Sequence, residues 1–186
     1  AKLDSYSDAE HISIDISGIQ KFIYTIASKN ALRTLRARSF YLEIMMEHII
    51  DTLLERLELS RANLIYSGGG HCYLLLANTQ KTREVLNTFQ KELQSWFLKY
   101  FRTELFVAFG YSVCSGNTFR NVPEGSYANM FRQASAGISK AKLHRYTAEE
   151  IIALNQYRAD DYTRECKVCK RIGQVDEKGV CPLCRK

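Results

Sequence analysis

Residues 11–24 read HISIDISGIQKFIY, and this stretch decides the fold. Ile12, Ile14 and Ile16 alternate with His11, Ser13 and Asp15, the period-two pattern of a half-buried strand. Asp15 then stands on the open face. Ser17-Gly18 interrupts the alternation, and a helical stretch follows near Ile19–Ser28. Working outward, Leu42, Met45, Ile49, Leu53 and Leu57 recur at helical spacing and predict a helix over Ser39–Leu59. Asn63–Ser67 and Cys72–Ala77 read as strands joined by Gly68-Gly69-Gly70-His71, a hairpin signal. Thr82–Phe101 is amphipathic, with Phe89, Leu93, Trp96 and Tyr100 on one stripe.

Glu104–Cys114 is the clearest strand. Leu105, Val107, Phe109, Tyr111 and Val113 form a large face; Ala108, Gly110, Ser112 and Cys114 form a small one. The small face implies close approach of a ligand, another chain or a missing domain; close packing by the protein's own loop is the alternative. Residues 115–124 read as a loop and Ser126–Tyr146 as a helix carrying Phe131, Ala134, Ile138 and Ala141. Thr147–Tyr157 is a short helix with a Thr147 N-cap and Glu150 as its capping-box partner. The order β-α-α-β-β-α-β-α predicts an α+β, ferredoxin-like fold, with an antiparallel sheet, helices on one face and the other face open.

Charge and cysteine are both lopsided. The formal net charge of the 186 residues is +6. Residues 163–186 hold seven Lys/Arg against three Asp/Glu, so most of the basic excess sits in the last segment. Four of the six cysteines lie there too, as Cys166, Cys169, Cys181 and Cys184, spaced C-x2-C-x11-C-x2-C. Two such knuckles can set four thiolates around one structural zinc. Two disulfides are the alternative. The first residues, AKLDSYSDAEH, contain no apolar signal core, and no apolar run approaches the about 20 residues that span a bilayer, so neither secretion nor a membrane is expected. Cys72 and Cys114 sit in apolar strands and read as inert core thiols.

Asp15 and Gly68–His71 fall at the ends of adjacent strands. Carboxylates at such ends hold Mg²⁺ in two-metal phosphoryl chemistry, but the hairpin supplies Gly70 and His71 where a second carboxylate is needed. The metal chemistry therefore reads as disabled. Nucleotide binding need not be: the amides of Ser17, Gly18, Ile19 and Gln20 open a helix, and Ser67 with Gly68–Gly70 lets a phosphate or base approach the backbone. A plain tight turn is the alternative for the glycines. Lys29, Arg33, Arg36 and Arg38 form a basic stretch that can face phosphate, RNA or an acidic surface, or only solvent. Lys140 and Lys142 raise the same question.

Four segments, IDISGIQKFIY (Ile14–Tyr24), LRARSFYLE (Leu35–Glu43), YSGGGHCYLLL (Tyr66–Leu76) and SKAKLHRY (Ser139–Tyr146), followed by the four-cysteine unit, resemble the large subunit of the type III-A CRISPR effector, the Csm complex. They are similar to its first palm domain and the start of its zinc-bearing linker. The resemblance runs from about His11 to the last residue. It implies a nucleotidyl-cyclase-like palm over residues 1–146, a helical connection over 147–162 and an incomplete zinc segment over 163–186. In that family two palms bind two ATP molecules between them and make cyclic oligoadenylate when target RNA is bound. An HD domain supplies single-stranded DNA nuclease activity. The second palm carries a Gly-Gly-Asp-Asp hairpin for the catalytic metal. Here Gly68-Gly69-Gly70-His71 stands in the corresponding place, so the resemblance implies the degenerate first palm. Asp15 becomes a vestigial metal ligand and Lys142 matches a phosphate-binding lysine. The implied partners are ATP with Mg²⁺, the second palm, other Csm subunits, and guide and target RNA through the complex, all in the cytoplasm. Neither an HD motif nor a second palm is present, which implies a fragment, inactive alone. The rival expectation is an RNA- or protein-docking scaffold without nucleotide binding.

Overall fold

The computed structural model describes residues 9–24, 31–156, 164–169 and 172–185. The chain divides into two compact units: residues 1–17 with 43–145, and residues 18–42 with 146–186.

The first unit is built on a four-stranded antiparallel sheet in the order β2-β3-β1-β4. Its strands are β1 (Ala9–Ser17), β2 (Leu64–Gly68), β3 (His71–Ala77) and β4 (Phe106–Cys114). β1 is central, and its register sets Asp15 opposite His71 on one side and Ala108 on the other. The helices are α1 (Ile19–Tyr24), α2 (Ala31–Arg56), α3 (Gln80–Phe101), α4 (Gly116–Phe119), α5 (Ser126–Leu143), α6 (Ala148–Asn155) and α7 (Pro182–Arg185).

α3 covers the face of Ile12, Ile14 and Ile16. Its Phe89 meets Phe109 edge to face at 6.4 Å, and its Gln90 accepts a hydrogen bond from the Tyr111 hydroxyl at 2.7 Å. α2 runs beside α3, where Arg56 pairs with Glu92 at 2.7 Å and lies over the Phe89 ring. Met46, Ile50, Leu53 and Leu74 are buried in this core. Burial of each such side chain contributes about 1.5–3 kcal/mol.

The α+β antiparallel class is as the sequence pattern predicts; the second sheet face is open only in part. α5 packs across its β1–β4 side, while Tyr66 on β2 stays half exposed. Phe131 meets the His11 ring at 4.7 Å, and His11 and Ser13 are buried along with the isoleucines. The small residues of β4 admit this helix. A side-chain carbon added at Gly110 would lie 2.0 Å from the Ala134 carbonyl oxygen, and one at Gly137 would lie 3.1 Å from the Gly110 Cα. The close approach is thus made by the chain's own helix. Period-two alternation misreads β1 because its second buried face carries His and Ser rather than apolar side chains.

Two boundaries also differ from expectation. α2 begins at Ala31, eight residues before Ser39, because residues 31–38 are good helix formers without an apolar stripe. The 115–124 loop contains α4, which Ser115 and Thr118 cap reciprocally. The Thr147–Glu150 capping box of α6 forms as read.

In the second unit, Arg38 lies over the Phe22 ring at 5.2 Å and donates to the Phe22 carbonyl. Arg38 is therefore an internal contact, which removes it from the predicted basic surface. Arg33 and Arg36 are exposed. Lys29, the end of the predicted first helix and the 162/163 boundary lie outside the described residues. No helix among the described residues is long and apolar enough to cross a membrane.

Candidate functional site

The hairpin and the end of β1 build one polar cluster. Gly69 and Gly70 join β2 to β3 with φ of 62° and 80°, left-handed values that a two-residue I′ turn requires and glycine supplies without strain. No atom beyond the chain neighbours lies within 4 Å of a side chain built at Gly69, so the turn is open beside it. At Gly68 the Tyr66 hydroxyl would sit 2.7 Å from an added carbon, so a side chain there would displace the exposed Tyr66 ring tip.

The turn places His71 beside Asp15. The ring donates from Nδ1 to Asp15 Oδ1 at 3.2 Å, and in the neutral tautomer Nε2 accepts from the Ser13 hydroxyl at 3.0 Å. Lys142, in the last turn of α5, donates from Nζ to Asp15 Oδ2 at 2.7 Å. The Ser17 hydroxyl adds a longer contact to Oδ2 at 3.4 Å. Burial pushes the Asp15 carboxyl up, but the hydrogen bonds from His71 and Lys142 outweigh it and hold the carboxyl below its ordinary range. Lys140 is exposed, so the structure separates the two lysines: Lys142 joins the cluster.

Ser13, His71 and Asp15 have the connectivity of an acyl-transfer triad. Ser13 is only 1% exposed on the face that α5 covers, so no substrate carbonyl reaches its hydroxyl. Divalent metal chemistry does not fit either. The positions flanking Asp15 are His71 and Ala108, and the donors of Lys142, His71 and Ser17 already surround the carboxylate. Cys72 is fully buried, and burial pushes its thiol up to about 12; Cys114 is buried and raised for the same reason. Both are inert.

Gly18, Ile19 and Gln20 belong to the second unit. Gly18 has φ of 91°, and its carbonyl accepts the Phe22 amide as α1 begins.

That unit also holds the four cysteines. The Sγ atoms of Cys166, Cys169, Cys181 and Cys184 all lie within 4.8 Å of one another, with Cys169 and Cys181 at 3.7 Å. All four are free thiols, so the disulfide alternative fails. Tetrahedral bonds of about 2.3 Å imply sulfur separations of about 3.8 Å, so the donor set fits a metal ion. Asp176 turns the intervening loop by accepting the Lys178 and Val180 amides, and Gly179 takes φ of 77°. The Cys181 amide donates to Cys166 Sγ at 3.3 Å. Val168, Val175 and Val180 pack around the cluster.

The family model for the Csm1 subunit domain B matches residues 10–157. The chain belongs to the Csm1 family. It is 46% identical over 174 residues to the CRISPR system single-strand-specific deoxyribonuclease Cas10/Csm1 (subtype III-A) of Enterococcus italicus, covering 93% of this chain and 23% of that protein. The chain thus spans about a quarter of such a Csm1 relative. Among solved structures, the apo Csm1–Csm4 cassette superposes with a TM-score of 0.71 at 30% identity, over 83% of this chain and 21% of that one. The Csm1–Csm4 cassette in complex with AMPPNP superposes with a TM-score of 0.70 at 30% identity, over 82% and 21%.

The Lys142 contact was the part of this Csm1 site that sequence left unresolved. Charge at Lys140 and Lys142 was visible, but only the helical phase of α5 over Gly110 selects between them.

Proposed function

We propose that this chain is the degenerate palm of a type III-A CRISPR signalling subunit, which binds ATP and positions it for cyclic oligoadenylate synthesis by a second palm. The observation that carries this reading is the state of Asp15. The carboxylate is held by Lys142 and His71 instead of being free for a metal, while the hairpin beside it stays open at Gly69. Positioning and electrostatics are then this palm's contribution, and Mg²⁺ chemistry belongs to its partner. Within the first unit the nucleotide contacts would come from Ser17, Ser67, Gly68, Gly69, Gly70, His71 and Lys142; Gly18, Ile19 and Gln20, in the second unit, are separate candidates. The AMPPNP complex of the Csm1–Csm4 cassette supports a nucleotide role, and a Csm4 subunit would be a partner of the whole protein.

The whole protein would be both an oligoadenylate synthase and, like its curated relatives, a single-strand-specific deoxyribonuclease. It would act in the cytoplasm with guide and target RNA. Residues 1–146 would form the palm, 147–162 a helical connection and 163–186 a zinc-bearing linker segment. The four-thiolate donor set favours Zn²⁺, held by Cys166, Cys169, Cys181 and Cys184. No ligand position is left for catalysis, so the metal supplies folding energy.

A docking scaffold is the second reading. Exposed Arg33 and Arg36 beside exposed Leu32 and Phe40 on α2 favour it. ATP titration of the intact protein separates the two. Binding weakened by Lys142→Met supports the palm reading; absence of ATP binding, with RNA binding lost on Arg33→Ala/Arg36→Ala, supports the scaffold.

A further inference from the structure

The end of β1 has the form of a cation site in which the cation is part of the chain. The Asp15 carboxylate is flanked in register by His71 and Ala108, so neither neighbouring strand offers a second carboxylate. Among the described residues, the one group of His, Cys, Asp or Glu that could hold a metal ion is the four-cysteine cluster. Both carboxylate oxygens are engaged, Oδ1 by His71 at 3.2 Å and Oδ2 by Lys142 at 2.7 Å. The His71 ring is fixed in turn by Ser13 on its far side. Lys142 arrives from the last turn of α5, whose path is set by the backbone contact at Gly110 and Gly137. Its side chain is 34% exposed, so the ion pair is reached by solvent rather than sealed in the core.

We propose that the Lys142 ammonium takes the place of a divalent cation at this strand end, and that Asp15 and His71 are positioning residues which aim it at the phosphates of a bound nucleotide. The identity of the anion rests on the ATP-binding reading; the cation replacement does not. An ammonium carries one charge and holds oxygen at about 2.7–2.9 Å, whereas Mg²⁺ carries two and binds at about 2.1 Å. Anion binding here therefore needs no metal of its own.

The test counts bound Mn²⁺ by electron paramagnetic resonance on the intact protein. His71→Asp with Lys142→Met sets two carboxylates across the β1–β3 pair and removes the ammonium. The double variant should bind one more Mn²⁺ per chain than the wild type, and Lys142→Arg should bind no more than the wild type. Far-UV circular dichroism identifies folded variants. Equal counts in the folded double variant and the wild type would overturn the proposal. A second arm measures ATP affinity in EDTA. Lys142→Met should weaken it about tenfold, the loss of one charge-assisted contact, while Lys142→Arg should keep it within about twofold. Asp15→Asn should fall between them. Equal affinity for Lys142→Met and wild type would overturn the aiming role. If the wild type binds no ATP, the functional reading fails, and the Mn²⁺ count still decides the cation replacement.

Discussion

Replacing Gly110 by alanine tests how the sheet and its second helical layer fit together. The added carbon would lie 2.0 Å from the Ala134 carbonyl oxygen, 2.8 Å from its carbonyl carbon and 3.0 Å from Ile138 Cγ1. The first two atoms are main chain of α5, so no rotamer change relieves them. Either α5 or β4 must move. Overpacking of a filled core costs about 1–3 kcal/mol, and a backbone obstacle places this case near about 3 kcal/mol. For a chain of this size that corresponds to a fall in melting temperature of about 6–12 °C. Because α5 carries Lys142, the same shift should loosen the Asp15–Lys142 contact, and nucleotide affinity should fall with stability. Thermal and urea denaturation of Gly110→Ala would measure the first effect, and an ATP titration below the transition the second. Ser135→Ala, exposed on the same helix, should stay within about 0.5 kcal/mol of wild type. A Gly110→Ala variant with an unchanged midpoint would refute the packing of α5 on β4 and return the small face to an outside ligand.

The buried His11 makes stability pH-dependent. Burial, helped by the nearby His71, lowers its pKa from 6.5 to about 4, so between those values the unfolded chain binds the additional proton. This contribution is complete above pH 6.5 and is lost as pH falls to about 4, amounting to about 3 kcal/mol. His11→Phe should flatten urea midpoints across that window. The depressed Asp15 carboxyl adds stability above the ordinary aspartate range that disappears as pH falls through its folded value, and Asp15→Asn should remove that acid limb. A double-mutant cycle on Asp15→Asn and Lys142→Met should give a coupling of about 1 kcal/mol by urea denaturation, modest because the pair is part-exposed. Chelation should unfold residues 164–185 while the sheet signals in NMR spectra persist. Metal release should rise with acidity, because burial, with Cys169 beside it, pushes the Cys181 thiol up and each ligand must lose its proton to bind. An unchanged segment in chelator would end the metal assignment.

The sheet was legible because its strands carry the pattern that builds them. β4 and the Ile12–Ile16 face alternate cleanly, β3 is a short apolar run, and the Gly69-Gly70 turn announces its own hairpin. The second helical layer was hidden. Gly110 and Gly137 meet by lacking side chains, and small residues read equally well as a ligand-facing surface. His11 and Ser13 are polar yet buried, so period-two reasoning assigned their face to the open side. At the candidate site the missing carboxylate was readable from Gly70 and His71. The ion pair that replaces it was not, since Asp15 and Lys142 lie far apart in sequence and meet only once α5 crosses the sheet. The cysteine spacing, by contrast, carries its geometry within one short segment.

Nucleotide stoichiometry of the intact protein bears most directly on the palm reading. Calorimetric titration with a non-hydrolysable ATP analogue should give two sites per chain in the wild type. Lys142→Met should weaken one of them about tenfold and leave the other unchanged. Two sites with wild-type affinity in that variant would contradict the account.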